Sequence, residues 1–379
     1  MARARELFPL LRGRAKDIDD RRHLTEDVVA AFTGAGFIRT LVPRRWGGLD
    51  LGFTEAMAVT IEVARACGSM GWVGSFWMDH PQWVALYPER AQQEVWADGP
   101  DARIATSFAP VGQVTRVADG FLLSGDWAWA SGVGYSDWVM LGGLVRDPDT
   151  AADSRLFLVP TADVAVVDTW FSAGLRGSGS DNVVATGVFV PEYRTLAMRA
   201  VREGQTPGAS AHPTPVLTAP LMTHAGYAMV APAIGIARGV IDAWRDNART
   251  KAHTYTREQV SAALPMQLKL AEATVLVDAA EMLVRQCLTA VESGRATLLE
   301  DRVRHRRDIS FAMRMVTRAV DDLMQLAGAS ALRDTSPIQR GWRDVRAVSS
   351  HVMLNFNAAA ENYGRLALGL PLNPNDPFF

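Results

Sequence analysis

The sequence is poor in cysteine: Cys67 and Cys287 are the two thiols in 379 residues. Both stand in apolar, helix-patterned surroundings, which argues against a disulfide framework and fits a reducing compartment. An excess of charge of one sign is also missing. A formal net charge of -2 gives no general electrostatic reason to bind nucleic acid or an anionic membrane. Long apolar runs are absent too, since the longest, Ala225 to Ala237, is broken by Pro232 and too short to span a bilayer. The opening Met-Ala-Arg-Ala-Arg-Glu leads into no continuous apolar core, so no signal peptide is expected and the cytoplasm is the expected location. The histidines show neither His-Glu-x-x-His nor Glu-x-x-His spacing, which leaves zinc and diiron sites unsupported. Gly174-x-x-Gly177-x-Gly179 lacks the strand-to-helix setting of a dinucleotide fingerprint and reads as a tight turn.

What is present is ordinary for a soluble globular protein: 48% hydrophobic and 21% charged residues, in a chain long enough for two or three domains. Residues 1–102 read as an N-terminal helical domain. Leu24, Val28, Val29 and Phe32 share a face, Thr54 is the expected N-cap of a helix from Glu55 to Cys67, and Pro81 is expected to start another helix, placing His80 at a break. Residues 103–205 change to short β runs with a hairpin turn at Asp119-Gly120, expected to form an antiparallel barrel or sandwich. Residues 203–215 have linker composition. Residues 206–379 are expected to form a C-terminal bundle of about four long helices, one of them carrying Trp342, Val345, Val348, Val352 and Phe356. The class is α+β, mainly α. Arg302 to Arg307 form a basic cluster, expected to be a solvated helix face, with a subunit contact or a cofactor-phosphate site as the other reading.

The densest local signal is Gly125-Asp126-Trp127-Ala128-Trp129-Ala130-Ser131-Gly132. Taken alone it is either a Trp-rich core strand or a strand presenting an aromatic and a hydroxyl to a ligand. Three segments together resemble the acyl-CoA dehydrogenase superfamily over nearly the whole chain. They are Trp46-Gly47-Gly48 with the helix after it, the Trp129-Ala130-Ser131-Gly132 strand with Gly174 to Ser180, and Gly328-Ala329-Ser330 leading to Arg340-Gly341-Trp342-Arg343-Asp344. The resemblance implies an N-terminal helical domain, a central β domain and a four-helix bundle. It also implies a flavin site in which Trp129 covers the ring, Ser131 reaches N5, and Gly328, Ser330 and Arg343 contribute across a subunit boundary.

One departure narrows the activity. Many acyl-CoA dehydrogenases carry a Tyr-Glu-Gly-Thr motif about eight residues after the Arg-Asp pair, and its glutamate removes the substrate proton. Here the stretch is Ser350-His351-Val352-Met353, with no carboxylate. The pattern is instead similar to the oxygenase components of two-component flavin-dependent aromatic hydroxylases sharing this fold. His80, Ser107, Ser131 and His351 stand where those relatives keep two histidines and two serines. A second departure is Thr218, where relatives often have an arginine.

The resemblance implies reduced flavin (FMNH2 or FADH2) and O2 as cofactors, with hydroxylation of a phenolic or polycyclic aromatic through a flavin C4a-hydroperoxide. His80 is then the expected base for the phenol hydroxyl and Ser107 its orienting donor. The other readings are a helix-end cap beside Pro81 for His80, and a strand-end serine or a simple flavin contact for Ser107. Asp344, His351 and Asn355 are expected to project from one quadrant of a single helix, with His351 either bonded to a carbonyl in the core or donating to the oxygenated flavin. Trp77 and Trp83 are core positions that could also line an aromatic pocket near His80. The expected partners are a separate NAD(P)H-dependent flavin reductase and further copies of the chain in a homotetramer, with no nucleic acid and no membrane. The alternatives are an N- or S-oxygenase of the same fold and an acyl-CoA dehydrogenase with a displaced base.

Overall fold

The computed structural model describes every residue except 147–151, 253–256, 377 and 379. Five helices come first: α1 (Ala2–Arg21), α2 (Glu26–Gly34), α3 (Phe53–Ala66), α4 (Gly68–Val84) and α5 (Glu89–Val95). Gly52, not Thr54, is the N-cap of α3. Thr54 lies inside the first turn, where Glu292 accepts its backbone N–H and its hydroxyl, each at 2.7 Å. Helix α4 runs straight through Pro81, so His80 is inside a helix and not at a break. Pro81 stands in the last turn, where its missing N–H deprives only the Trp77 carbonyl of a partner. Gly71 lets α4 close on α3: a Cβ there would come within 2.3 Å of the Ala64 side chain.

Seven strands follow: β1 (Ile104–Val117), β2 (Gly120–Ala130), β3 (Trp138–Val145), β4 (Asp153–Pro160), β5 (Ala165–Val167), β6 (Asp181–Pro191) and β7 (Thr195–Ala197). They make one sheet in the order β5-β6-β2-β1-β3-β4-β7. The Asp119-Gly120 turn joins β1 to β2 as expected, with Val117 opposite Gly120. The sheet is mixed, since β1 and β3 run parallel. It also curls over its own core: Phe121 of β2 and Phe157 of β4, on strands that are not neighbours, meet edge to face at 5.6 Å. Two bulges shape the edge nearest the helices, one between Ser107 and Gly112 of β1 and one between Trp127 and Ala130 of β2.

The linker-like stretch is folded, not extended. It runs from the end of one short helix, α6 (Met198–Glu203), through α7 (Pro207–Ala211) to the start of α8 (Pro215–Thr218). The last two are capped by the Thr206 and Thr214 hydroxyls, and Ala209 and Leu217 are buried. The bundle comprises α9 (Tyr227–Thr250), α10 (Leu264–Glu292), α11 (Leu299–Ala327), α12 (Pro337–Ser349) and α13 (Phe356–Ala367). The single helix expected over 342–356 is two helices. Helix α12 stops at Ser349, residues 352–354 form a 3-10 turn, and Asn355 caps α13 by accepting the Asn357 and Ala358 N–H groups. Asp344, His351 and Asn355 therefore share no helical quadrant. The basic cluster is not a simple solvated face either: His305 and Arg306 are buried, and Arg306 is paired with the buried Asp376. Among the described residues no helix is long and apolar enough to cross a membrane.

Candidate active site

Helix α4 sets out the site. Trp72, Phe76 and His80 follow one another in four-residue steps, so they stack along one face. Phe76 and His80 lie nearly parallel with ring centroids 5.3 Å apart, and Trp72 meets Phe76 edge-on at 4.9 Å. Beyond Trp72, the His351 ring lies 6.5 Å away. The two histidines therefore stand at opposite ends of one aromatic row. Neither Trp72 nor Phe76 was singled out in the sequence, although their spacing to His80 was visible there.

The strand ends reach this row from the other side. Trp72 donates its indole N–H to the Ser131 hydroxyl at 2.9 Å. Ser131 is 2.7 Å from the Ser180 hydroxyl, which is 2.7 Å from that of Ser178. The Gly132 N–H donates to the Ser178 carbonyl at 2.9 Å, which locks the Ser-Gly strand end onto the 174–180 turn. Ser178 and Ser180 are thus further members of the site; the sequence placed them in the 174–180 segment of the resemblance without giving either a role. Ser107, at the end of the first β1 segment, donates to the Ala128 carbonyl at 2.9 Å. In this arrangement its free capacity is as an acceptor; it becomes a donor only by rotating its proton away from Ala128.

The histidines differ in what they offer. His80 is buried, and its Nδ1 lies 2.5 Å from the Ile104 carbonyl. A carbonyl can only accept, so Nδ1 carries the proton and Nε2 presents its lone pair. His351 accepts the Met353 N–H at Nδ1, 3.2 Å away, which puts the proton of its neutral ring on Nε2. Burial depresses both rings to about 4 from the usual 6.5, with the Ile104 carbonyl opposing part of the shift at His80. Near neutral pH the site holds two uncharged imidazoles, one an acceptor and one a donor.

Trp129 sits at the β2 bulge with φ 68°, in the left-handed region that a bulky residue adopts only under constraint. The residue is 71% exposed. A strained backbone that holds a bare indole outward, two residues before the Ser131 hydroxyl, fits a flat aromatic cofactor laid against it. A cleft of about 630 Å³, in the range of small-molecule sites, opens beside His351 between α11 and the 349–357 turn; His80 and Ser107 do not line it.

The remaining expected cofactor residues lie apart. Gly328 ends α11 and Ser330 is exposed, its hydroxyl 3.2 Å from the Lys251 ammonium. Arg343 is held by the Gln339 side chain, the Ala173 carbonyl and Asp19. None of the three shares a hydrogen bond or ring contact with the Trp72 row. Asp344 is buried and accepts the Leu175 N–H at 2.6 Å. Burial raises its carboxyl to about 6 against that hydrogen bond. Thr218 spends its hydroxyl on the Thr214 carbonyl. Trp77 is a core residue, its N–H 3.3 Å from Ser136. Trp83 packs at 4.6 Å on Phe108, the residue after Ser107.

Comparison with known proteins agrees with this architecture. The acyl-CoA dehydrogenase N-terminal domain family matches residues 6–97 and the acyl-CoA dehydrogenase C-terminal domain family matches residues 227–356. The oxygenase subunit HsaA of a flavin-dependent monooxygenase from Rhodococcus jostii is 34% identical over 98% of this chain and 99% of its own. The oxygenase component of an FADH(2)-dependent resorcinol hydroxylase from a Rhizobium strain is 33% identical over 95% of this chain and 92% of its own. The crystal structure of a 3-HSA hydroxylase from Rhodococcus sp. RHA1 superposes with a TM-score of 0.92 at 34% identity, covering 98% of this chain and 97% of that one. With Ser131, His80 and His351 gathered on one aromatic row and relatives of this similarity along its whole length, the chain belongs to the oxygenase components of flavin-dependent monooxygenases built on the acyl-CoA dehydrogenase fold.

Proposed function

We propose that this chain hydroxylates a phenolic or polycyclic aromatic, using O2 and reduced flavin delivered by a separate NAD(P)H-dependent reductase. The observation that carries this reading is the pair of opposite imidazole tautomers at the two ends of the Trp72–Phe76 row. The bound flavin, FMNH2 or FADH2, supplies the activated oxygen. Trp129 and Ser131 would hold its ring, with the Ser131 hydroxyl the group to bond N5, and Gly328, Ser330 and Arg343 would serve the flavin site of a neighbouring copy.

The chain's own groups do the rest. His80 takes the phenol proton at Nε2, which raises electron density on the ring carbon to be hydroxylated. Ser107 turns its proton from the Ala128 carbonyl to the substrate oxygen. His351 donates from Nε2 on the flavin side. The buried Trp72 and the Ser131–Ser180–Ser178 hydroxyl chain keep bulk water away from Ser131.

An acyl-CoA dehydrogenase reading needs a free carboxylate. On α12 the buried Asp344 accepts the Leu175 N–H; on α4 the buried Asp79 accepts the Trp83 N–H through one oxygen and keeps the other unpaired, but no carboxylate stands at the Ser350–Met353 stretch. A second copy of the chain covers the exposed apolar stripe of α10, Leu264, Leu268, Val275 and Met282, in a homotetramer. The enzyme works in the cytoplasm.

The test is to mix the protein with chemically reduced FMN or FADH2, 18O2 and a panel of phenols, amines and thioethers. A hydroxylated phenol carrying one labelled oxygen supports the reading. Labelled N- or S-oxides, or reduction of bound oxidised flavin by an acyl-CoA, replace it.

A further inference from the structure

Like charges set directly opposite one another on neighbouring strands repel, and call for a counter-charge. Such a pair stands at the β5 edge of the sheet. Strands β5 and β6 run antiparallel with Val167 opposite Asn182, so the next step of that register sets Asp168 against Asp181. Asp168 is half-exposed, whereas Asp181 is 3% exposed. One cation is already there: Arg22 donates to both Asp168 oxygens, each at 2.8 Å. Two carboxylates against one guanidinium leave a negative charge unmatched.

That charge lies on Asp181. Its Oδ1 accepts the Thr169 and Trp170 N–H groups at 3.1 and 3.2 Å. Its Oδ2 accepts no hydrogen bond from the described residues, although the side chain is buried. His23, just beyond the end of α1, comes up to that oxygen. A Cβ placed on Gly179 would lie 3.1 Å from His23 Nδ1 and 3.6 Å from Asp181 Oδ2, so the two atoms flank one point that glycine leaves open. One ligand atom each from His23, Asp168 and Asp181 lies within 4.8 Å of the other two. His23 is remote from both carboxylates in the sequence, so no spacing rule exposes the set.

The donor atoms specify the chemistry of the missing cation. Calcium and magnesium favour oxygen ligands, whereas zinc and its first-row neighbours take imidazole nitrogen and carboxylate oxygen together. Zinc ligands stand about 2 Å from the ion, and hence roughly 3.4 Å from one another in a tetrahedron. Rotation of the His23 and Asp168 side chains, neither of them fully packed, closes the difference. Asp168 can serve although Arg22 holds it, because a carboxylate offers about four acceptor positions. Arg22 is also anchored without it, by the Trp170 carbonyl at 3.2 Å and by the Phe171 ring, 3.7 Å from the guanidinium carbon.

We infer that His23, Asp168 and Asp181 form a binding site for one divalent first-row metal ion, zinc above all. The ion ties the end of α1 to the start of β6, and so clips the N-terminal helices onto the turn that carries Ser178 and Ser180. This site goes beyond the proposed hydroxylase function and does not depend on it.

The test uses the flavin-free full chain, stripped with a chelator, with Zn2+ alone as the probe. Calorimetric titration of the wild type is expected to give one Zn2+ per chain. The melting temperature should climb as Zn2+ is raised, because the ion binds the folded form. His23→Gln and Asp181→Asn should each weaken binding by at least about tenfold. Asp181→Asn keeps an oxygen for the Thr169 and Trp170 N–H groups, and His23 is only half-buried, so both variants are expected to fold. Mg2+ at the same concentration should leave the melting temperature unchanged. A wild type that Zn2+ does not stabilise overturns the inference. So does Zn2+ binding that is equally tight in both variants, since the ion then sits elsewhere. Equal stabilisation by Mg2+ overturns it too, because the imidazole would then take no part.

Discussion

His80 and His351 face the same aromatic row from its two ends with opposite protonation: Nδ1–H bonded to the Ile104 carbonyl in one, Nδ1 accepting the Met353 N–H in the other. Each backbone contact fixes a tautomer, and together they give the site one uncharged acceptor and one uncharged donor. This arrangement suits a reaction that takes a proton from one partner at an uncharged acceptor and hydrogen-bonds another from an uncharged donor.

Replacing His80 by Ala removes the acceptor while leaving Trp72 and Ser131 bonded. We expect turnover of a phenol to fall about a hundredfold or more, with a smaller effect on a substrate supplied as a pre-ionised, acidic nitrophenol. Single-turnover product yield at two substrate pKa values checks this. Equal losses for both substrates contradict a proton-accepting role.

The acid limb of the wild-type profile follows from the same residue. Burial holds His80 at about 4, so its lone pair is available at every pH above that value. Activity limited by His80 is therefore lost as the pH falls through about 4, not through the usual imidazole range near 6.5. A limb centred near 6.5 under single-turnover conditions contradicts the assignment.

Stability carries a related signature. His80, His224 and His351 each sit at about 4 in the folded chain, so the unfolded chain binds more protons between there and ~6.5, and stability drops on acidification across that window. Asp79 and Asp344, raised to about 6, act in the opposite sense because the folded form keeps their protons. Three groups against two leave a net loss on acidification. The urea midpoint of the flavin-free protein should fall from pH 6.5 to 4.5 and fall less in His224→Phe.

Arg306 and Asp376 form an ion pair in which both side chains are buried, and Asn362 adds a hydrogen bond to the same carboxylate. Asp376→Ala removes a buried carboxylate bonded by both Arg306 and Asn362 and should lower stability by more than about 1 kcal/mol, read as a shift in the denaturation midpoint. A change below ~1 kcal/mol would show that water reaches the pair.

Much of the fold was legible in the sequence because periodicity and turn chemistry agree with tertiary packing there: the Asp119-Gly120 hairpin and the long bundle helices are examples. Prediction failed where a local rule met a stronger constraint. Pro81 reads as a helix start, yet in the last turn of α4 it removes a single hydrogen bond while packing retains the helix. The apolar spacing from Trp342 to Phe356 continues across a real break, because Asn355 caps a new helix. That break is what frees the His351 backbone to enter a turn. Ser107, Ser131, His80 and His351 were visible as residue types at suggestive positions. Trp72, which joins Ser131 to the His351 end of the row, was not, since a tryptophan on a buried helix reads simply as core.

The decisive measurement is a single turnover of reduced flavin with O2 and a phenol, scoring hydroxylated product against hydrogen peroxide in wild type and Ser131→Ala. The arrangement predicts that wild type converts most of the flavin's reducing equivalents into hydroxylated product. Ser131→Ala, which removes the Trp72 acceptor and the link to Ser180, should release mainly peroxide. Peroxide as the sole product of both proteins, with no oxygen placed on any phenol, would contradict the account.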